Sequence, residues 1–164
     1  MYENGQHGLI ASLWDLTDGV DRYFPWYNGV YKFTGATGDG FGAGVNNTSV
    51  IVAAQAADNP TGIFAAKAAA DFSVQDDGMT PCTGAVDEIC YGDWYLPSGH
   101  ELFLLSQQKD VVGGFADNYY WSSTEEDGYL AWPQHFGGAP PNTTATVRTS
   151  YTECVLFGLF NFAL

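Results

Sequence analysis

Apolar and polar positions divide the chain into an early strand, a long turn-rich stretch, an alanine-rich helical middle and a late group of strands. Residues 7–14, His-Gly-Leu-Ile-Ala-Ser-Leu-Trp, read as a strand. Residues 15–47 are turn-rich and aromatic, with Tyr23, Phe24, Pro25, Trp26, Tyr27, Tyr31 and Phe33 followed by closely set glycines. Those glycines are irregularly spaced and no Lys-Ser/Thr follows them, so they predict tight turns and not a phosphate cradle. Asn47 and Thr48 then open an alanine-rich segment that stops at Asp58-Asn59-Pro60. An Asn or Thr cap, the alanine content and that stop predict a helix. A second short helix over residues 63–71 turns Phe64, Ala65, Ala68 and Ala69 toward the core. A third begins at Pro97-Ser98-Gly99-His100-Glu101, a capping box in which Ser98 and Glu101 each satisfy the other's free N–H. Lys109 falls in its last turn, where the helix dipole favours a cation, and Gly113-Gly114 ends it. Residues 119–124 and 131–136 read as strands. With helices early and strands late, the class is α+β.

Composition narrows the setting. A chain of 164 residues suits one domain with a real core, and 46% hydrophobic with only 15% charged residues excludes a disordered chain. Acidic residues outnumber basic ones 19 to 5, for a formal net charge of -14. The basic residues Arg22, Lys32, Lys67, Lys109 and Arg148 are scattered, so nucleic acid is not an expected partner. Sulfated glycans and anionic membranes are disfavoured by the same repulsion. The acidity suits solubility outside a cell; bound calcium is compatible with it but needs converging oxygens that a sequence does not display. No apolar run reaches the length of a membrane span, so no membrane insertion is expected. The start reads as a cut inside a larger protein.

Cys82 and Cys90 flank a short loop preceded by Pro81, which suits a local disulfide in an oxidising compartment. Zinc is disfavoured because no Cys-x-x-Cys or paired histidine spacing exists. Cys154 is left over. The catalytic candidates are His7, His100, His135 and the cysteines, but neither Gly-x-Ser-x-Gly nor His-Glu-x-x-His occurs, so no enzyme is expected. Asp76-Asp77-Gly78 lacks the remaining ligand spacing of a calcium loop and reads as a hairpin turn.

Three motifs carry a family resemblance: Tyr91-Gly92-Asp93-Trp94-Tyr95-Leu96-Pro97-Ser98 with Glu101-Leu102, Tyr120-Trp121-Ser122-Ser123-Thr124-Glu125, and Ala131-Trp132-x-Gln134-x-Phe136. Together with Gly5-Gln6-His7-Gly8-Leu9-Ile10-Ala11 and Gly35-Ala36-Thr37-Gly38-Asp39-Gly40, they resemble the C-terminal domain of the Legionella collagen-like protein, a family of bacterial and phage surface modules. The resemblance implies a C-type-lectin-like α+β domain: two to three helices packed on a mostly antiparallel, twisted sheet, with long Gly-rich loops. It implies one recognition domain over residues 1–164, lacking the family's first strand. It also implies adhesion at the end of a stalk or phage tail fibre, often as a trimer, and some members are diversified by retroelements. The ending departs from the family's Val-Arg-Ala-Val-Arg. One encoding of Val-Arg-Ala-Val-Arg-Ser, read one base late, yields Cys154-Val155-Leu156-Phe157-Gly158-Leu159; on the hypothesis of such a shifted frame, residues 138–159 are expected to inherit no family role.

The expected ligand-binding residues are Glu125, Glu126, Asp127, Tyr129, Trp132, Gln134 and His135. They link the two late strands, and by resemblance they begin the surface that varies in diversified members. Acidic and amide oxygens suit sugar hydroxyls or calcium, and an aromatic face suits a pyranose ring. The competing reading makes Trp121 and Trp132 core, Ser122, Ser123 and Thr124 servants of backbone turns, and residues 125–127 a solvated turn. Trp94 and Tyr95 read as core. The expected function is an adhesion module, extracellular or on a cell surface or virion fibre, whose partner is a glycan or surface protein. The alternative is a structural fibre subunit that binds its own kind through the apolar end, residues 155–164.

Overall fold

The first structured helix owes its start to a residue far away in sequence. In the computed structural model, which describes residues 7–12, 15–16, 24–137, 146–147 and 157–161, a strand β1 (His7–Ala11) precedes the long loop and helix α1 (Ala43–Ala56). Helix α1 begins ahead of the expected Asn47 and Thr48 cap, at Gly42, whose φ of 82° suits glycine. Asn47 and Thr48 instead point inward from the helix body. Asn47 bonds both backbone groups of Gly38, and Thr48 Oγ1 bonds both the N–H and the C=O of Leu96. The orphan N–H groups of Gly42 and Gly44 are taken by the Glu101 carboxylate, at 2.8 and 3.2 Å.

Helix α2 (Ala65–Asp71) follows; Phe64, Ala65, Ala66 and Ala69 are buried, and Ala68 is only half-buried. Next come the short strands β2 (Val74–Gln75), β3 (Cys90–Tyr91) and β4 (Trp94–Tyr95), and then helix α3 (Gly99–Gln107) with both halves of the Ser98–Glu101 capping box formed. Lys109 does not lie in its last turn. The backbone breaks at Gln108, and Lys109 opens a separate turn of helix, α4 (Lys109–Val112), where its ammonium donates to the carbonyl of Phe136. The hairpin of β5 (Tyr119–Glu125) and β6 (Leu130–His135) is extended by β7 (Thr146–Val147), and β8 (Phe157–Asn161) returns to pair with β1.

This arrangement corrects the expected fold. The chain is α+β, but the described residues hold four helices, not two to three, and no single twisted lectin-like sheet carries them. The strands separate into two small open antiparallel sheets, ordered β1-β8-β4 and β5-β6-β7, beside the two-residue pair β2-β3. The extra helix exists because the ladder of α3 is interrupted at Gln108. The short strands β3 and β4 fall in different sheets, and Asp93 between them has a φ of 59° that breaks the extended run.

One core nevertheless spans both sheets. Trp26, Ile51, Phe64, Trp94, Leu96 and Trp121 pack together, and the two fully buried indoles brace opposite segments. Trp26 Nε1 donates to the carbonyl of Ser122 and Trp121 Nε1 to that of Phe24, which leaves neither indole N–H stranded. A second cluster of Leu9, Tyr95, Leu102, Leu105, Tyr120 and Phe136 ties β1 and α3 to the hairpin. Trp14 and Cys154 lie outside the described residues, as does most of residues 138–159. Within that stretch, Phe157, Gly158 and Leu159 belong to β8, opposite Ala11, Ile10 and Leu9.

Candidate binding surface

Two carboxylates fix the Gly-rich loop that borders the site. Glu101 is fully buried, and its oxygens accept from Gly42 N–H, Gly44 N–H, Ser98 N–H and Tyr95 O–H. It thus lies at the N-termini of both α1 and α3, where two helix dipoles favour its charge. A Cβ on Gly44 would stand 2.5 Å from Glu101 Oε2 and 2.6 Å from the Tyr95 ring, so that approach requires glycine. Burial first, then the charge and hydrogen bond of Glu101, push the Tyr95 phenol well above its usual range. Glu125, on the other side, is 3% exposed; its carboxylate accepts from Thr34 N–H and O–H and from the N–H groups of Gly35 and Ala36. Ser98 Oγ and Thr124 Oγ1 complete the fastening by donating to the carbonyls of Gly40 and Gly38.

Glu125 therefore turns inward and holds the loop, while the other expected site residues fall in three places. Glu126 and Asp127 are exposed in the β5–β6 turn, and Asp127 Oδ1 accepts from the N–H groups of Tyr129 and Leu130. Tyr129, 62% exposed, lies against Tyr31 at 5.1 Å between ring centroids, and Tyr31 stacks on Tyr27 at 4.7 Å. Of this row of three rings, Tyr129 is the most exposed. His135 sits at the far end of the hairpin, edge-on to Tyr119, with Nδ1 accepting from Gly137 N–H and Nε2 3.8 Å from Asp117.

Trp132 and Gln134 occupy the third place. They alternate along β6 and line a cleft of about 210 Å³ together with Asp39, His100, Phe103 and Ser122. Loop 34–42 supplies Asp39, α3 supplies His100 from its first turn together with Phe103, and the hairpin supplies Ser122, Trp132 and Gln134. Asp39 Oδ1 accepts from His100 N–H at 2.6 Å, so this helix terminus already holds a carboxylate and does not invite an anion. The cleft combines an indole, an imidazole, an amide and a carboxylate, a donor–acceptor mixture suited to a hydroxyl-rich ligand. In the sequence His100 stands as a helix first-turn residue and a catalytic candidate, and Asp39 as part of a Gly-rich motif; neither adjoins the hairpin, so their place in the cleft is not legible there. A larger cavity of about 240 Å³ between β1 and α3 is lined mainly by Leu9, Ile10, Phe41, Leu104, Leu105 and Val112, and its surface offers little polar chemistry.

Cys82 and Cys90 are joined in a disulfide that closes the loop between β2 and β3. Closing a loop of this size contributes roughly 2–3 kcal/mol in the chain-entropy account. Glu88 lies close to both sulfurs, but they are bonded to each other, and its carboxylate accepts from Gln75, Thr83, Gly84 and Ala85. This constellation therefore has no ligand atoms to spare for a cation. Partial desolvation works to raise the Glu88 carboxyl, but the Thr83, Gly84 and Ala85 donors outweigh it and hold the group below its ordinary 4.5. A depressed folded-state value means that this contribution to stability is present above pH 4.5 and is lost as pH falls through the folded value. A carboxyl NMR titration is expected to place the Glu88 midpoint below 4.5, with amide protection of Thr83, Gly84 and Ala85 failing over the same range. A midpoint at or above the ordinary value would rule out the cage.

Among the described residues no helix is long and apolar enough to cross a membrane. No family model matches the chain, and no curated protein sequence does.

Proposed function

We propose that the chain is a recognition and adhesion module, extracellular or on a surface or virion fibre, that binds a carbohydrate or surface-protein ligand in the Trp132 cleft. The carrying observation is the convergence there of Trp132, Gln134, His100 and Asp39 from three separate segments. A half-buried indole offers apolar area for the C–H face of a sugar, and the polar groups around it suit hydroxyls. The fastening of loop 34–42 by Glu125, Glu101, Ser98 and Thr124 favours the same reading, since a wall held in place loses little entropy when ligand arrives. The tandem motifs around Trp94, Trp121 and Trp132 support it through their likeness to the Legionella collagen-like family, which makes a trimer the expected assembly. Against a net charge of -14, the ligand is a neutral or basic one and not a sulfated glycan.

A glycan array probed with the whole chain is expected to show binding to neutral glycans. Trp132→Ala is expected to weaken it by about 30-fold or more, the loss typical of a central aromatic anchor, with the circular dichroism spectrum unchanged. Binding that survives Trp132→Ala and His100→Ala alike would remove the cleft from the account. Light scattering with and without calcium reads the assembly: a concentration-dependent polymer would favour the fibre-subunit alternative.

A further inference from the structure

We propose that residues 79–91 form a rigid docking knob for a protein partner whose contact surface is apolar and rimmed by lysine or arginine. The loop turns Met79, Val86, Ile89 and Tyr91 to solvent, and Val86 is 100% exposed, with Met79 and Ile89 at 60% and 62%. A single exposed apolar residue is ordinary, but here Val86 and Ile89 stand inside the ring closed by Cys82 and Cys90, and Met79 and Tyr91 flank it. None of them lines the Trp132 cleft, so the surface is a different one.

Several of the loop's backbone N–H groups are taken up by its own carboxylates, which fixes its frame from within. The Cys82–Cys90 disulfide closes it, and Glu88 gathers the N–H groups of Thr83, Gly84 and Ala85 beneath it. Asp77 fastens Met79 and Thr80 through their backbone N–H groups, and Cys82 N–H donates back to Ser73. A contact surface held this way docks without an ordering cost.

Charge decides the occupant. Asp76, Asp77, Asp87 and Asp93 are exposed on the loop and its flanks, and residues 68–99 contain no Lys, Arg or His. A second copy would bring the same carboxylates against these, and an anionic membrane would repel them. An apolar patch with an acidic surround is complementary to an apolar patch with a basic one.

The test uses the whole chain and a fluorescent amphipathic helical peptide of leucine and lysine, with a leucine–glutamate peptide as control. Anisotropy is expected to show binding of the lysine peptide alone. The double substitution Val86→Ser with Ile89→Ser should weaken it by about tenfold or more, and reduction of the disulfide should weaken it as well. The hydrogen-bonded frame of the loop uses neither side chain, so the folded spectrum is expected to persist. Equal binding by the double variant would reduce the attraction to net charge and overturn the proposal, as would no binding by the wild type. A dimer that the double variant disperses would make a second copy the occupant and overturn it too.

Discussion

Glu101→Ala is expected to destabilise the chain by roughly 3–5 kcal/mol, read as a lowered urea midpoint at unchanged slope. The side chain is fully buried and its carboxylate receives Gly42, Gly44, Ser98 and Tyr95. Truncation strands those donors at the start of two helices and opens a void beside the Tyr95 ring. Each hydrogen bond to a charged group is worth about 1.5–3 kcal/mol, and losses within one network overlap, so the total falls short of their sum. Against a typical stability of about 5–15 kcal/mol, this is a large share. Glu101→Gln keeps the volume but turns an amide N–H toward N–H donors, so it is expected to recover only about half of the loss. A glutamine variant as stable as the wild type would show that shape, and not the carboxylate, secures the junction.

The same residue marks the limit of what local pattern reveals. Ser98 and Glu101 stand three residues apart, so their capping box is legible in the sequence and the helix it opens forms. The second duty of Glu101, at the N-terminus of α1, is not legible, because Gly44 is 57 positions away. Helix α1 conceals its packing face for a related reason. Its buried positions Gly44, Asn47, Thr48, Ile51 and Gln55 keep helical spacing, but three of them are polar, so no apolar stripe announces them. Asn47 and Thr48 find hydrogen-bond partners in Gly38, Ser123 and Leu96, and Gln55 Oε1 accepts from Asn28 N–H, while Gln55 Nε2 is buried without a partner among the described residues.

The site shows the same division. Trp132 and Gln134 stand two apart on a strand, and that period places them on one face without further knowledge. Their neighbours Asp39 and His100 arrive from a loop and a helix that no spacing connects to the hairpin. The single lectin-like sheet failed as an expectation because strand pairing is a long-range choice. A strand of two residues such as β4 carries too little alternation to say which sheet it joins, and it pairs with β8 near the other end of the chain.

Glu125→Ala joins the core to the binding surface, and it is expected to cost roughly 3–5 kcal/mol and to weaken ligand binding as well. In sequence, Glu125-Glu126-Asp127 reads as three equivalent acids, yet only Glu125 is buried. What makes its burial tolerable is the turn at Thr34, Gly35 and Ala36, whose donors converge on it, while Glu125 N–H donates to Ala36 in return. Without the carboxylate, that turn loses its anchor, and Asp39 further along the same loop loses its fixed position against His100. Amide exchange is therefore expected to rise over residues 34–40 before it rises in the helices, and affinity for a cleft ligand is expected to fall even at temperatures where the variant stays folded. Thr34→Val tests the account from the other side. It removes one donor to Glu125 and leaves the rest, so it is expected to cost only about 1–2 kcal/mol and to disturb the same stretch of loop. Were Glu125→Ala to lower stability with no change in exchange across residues 34–40, the carboxylate would be serving β5 alone, and the coupling between core and cleft would be lost.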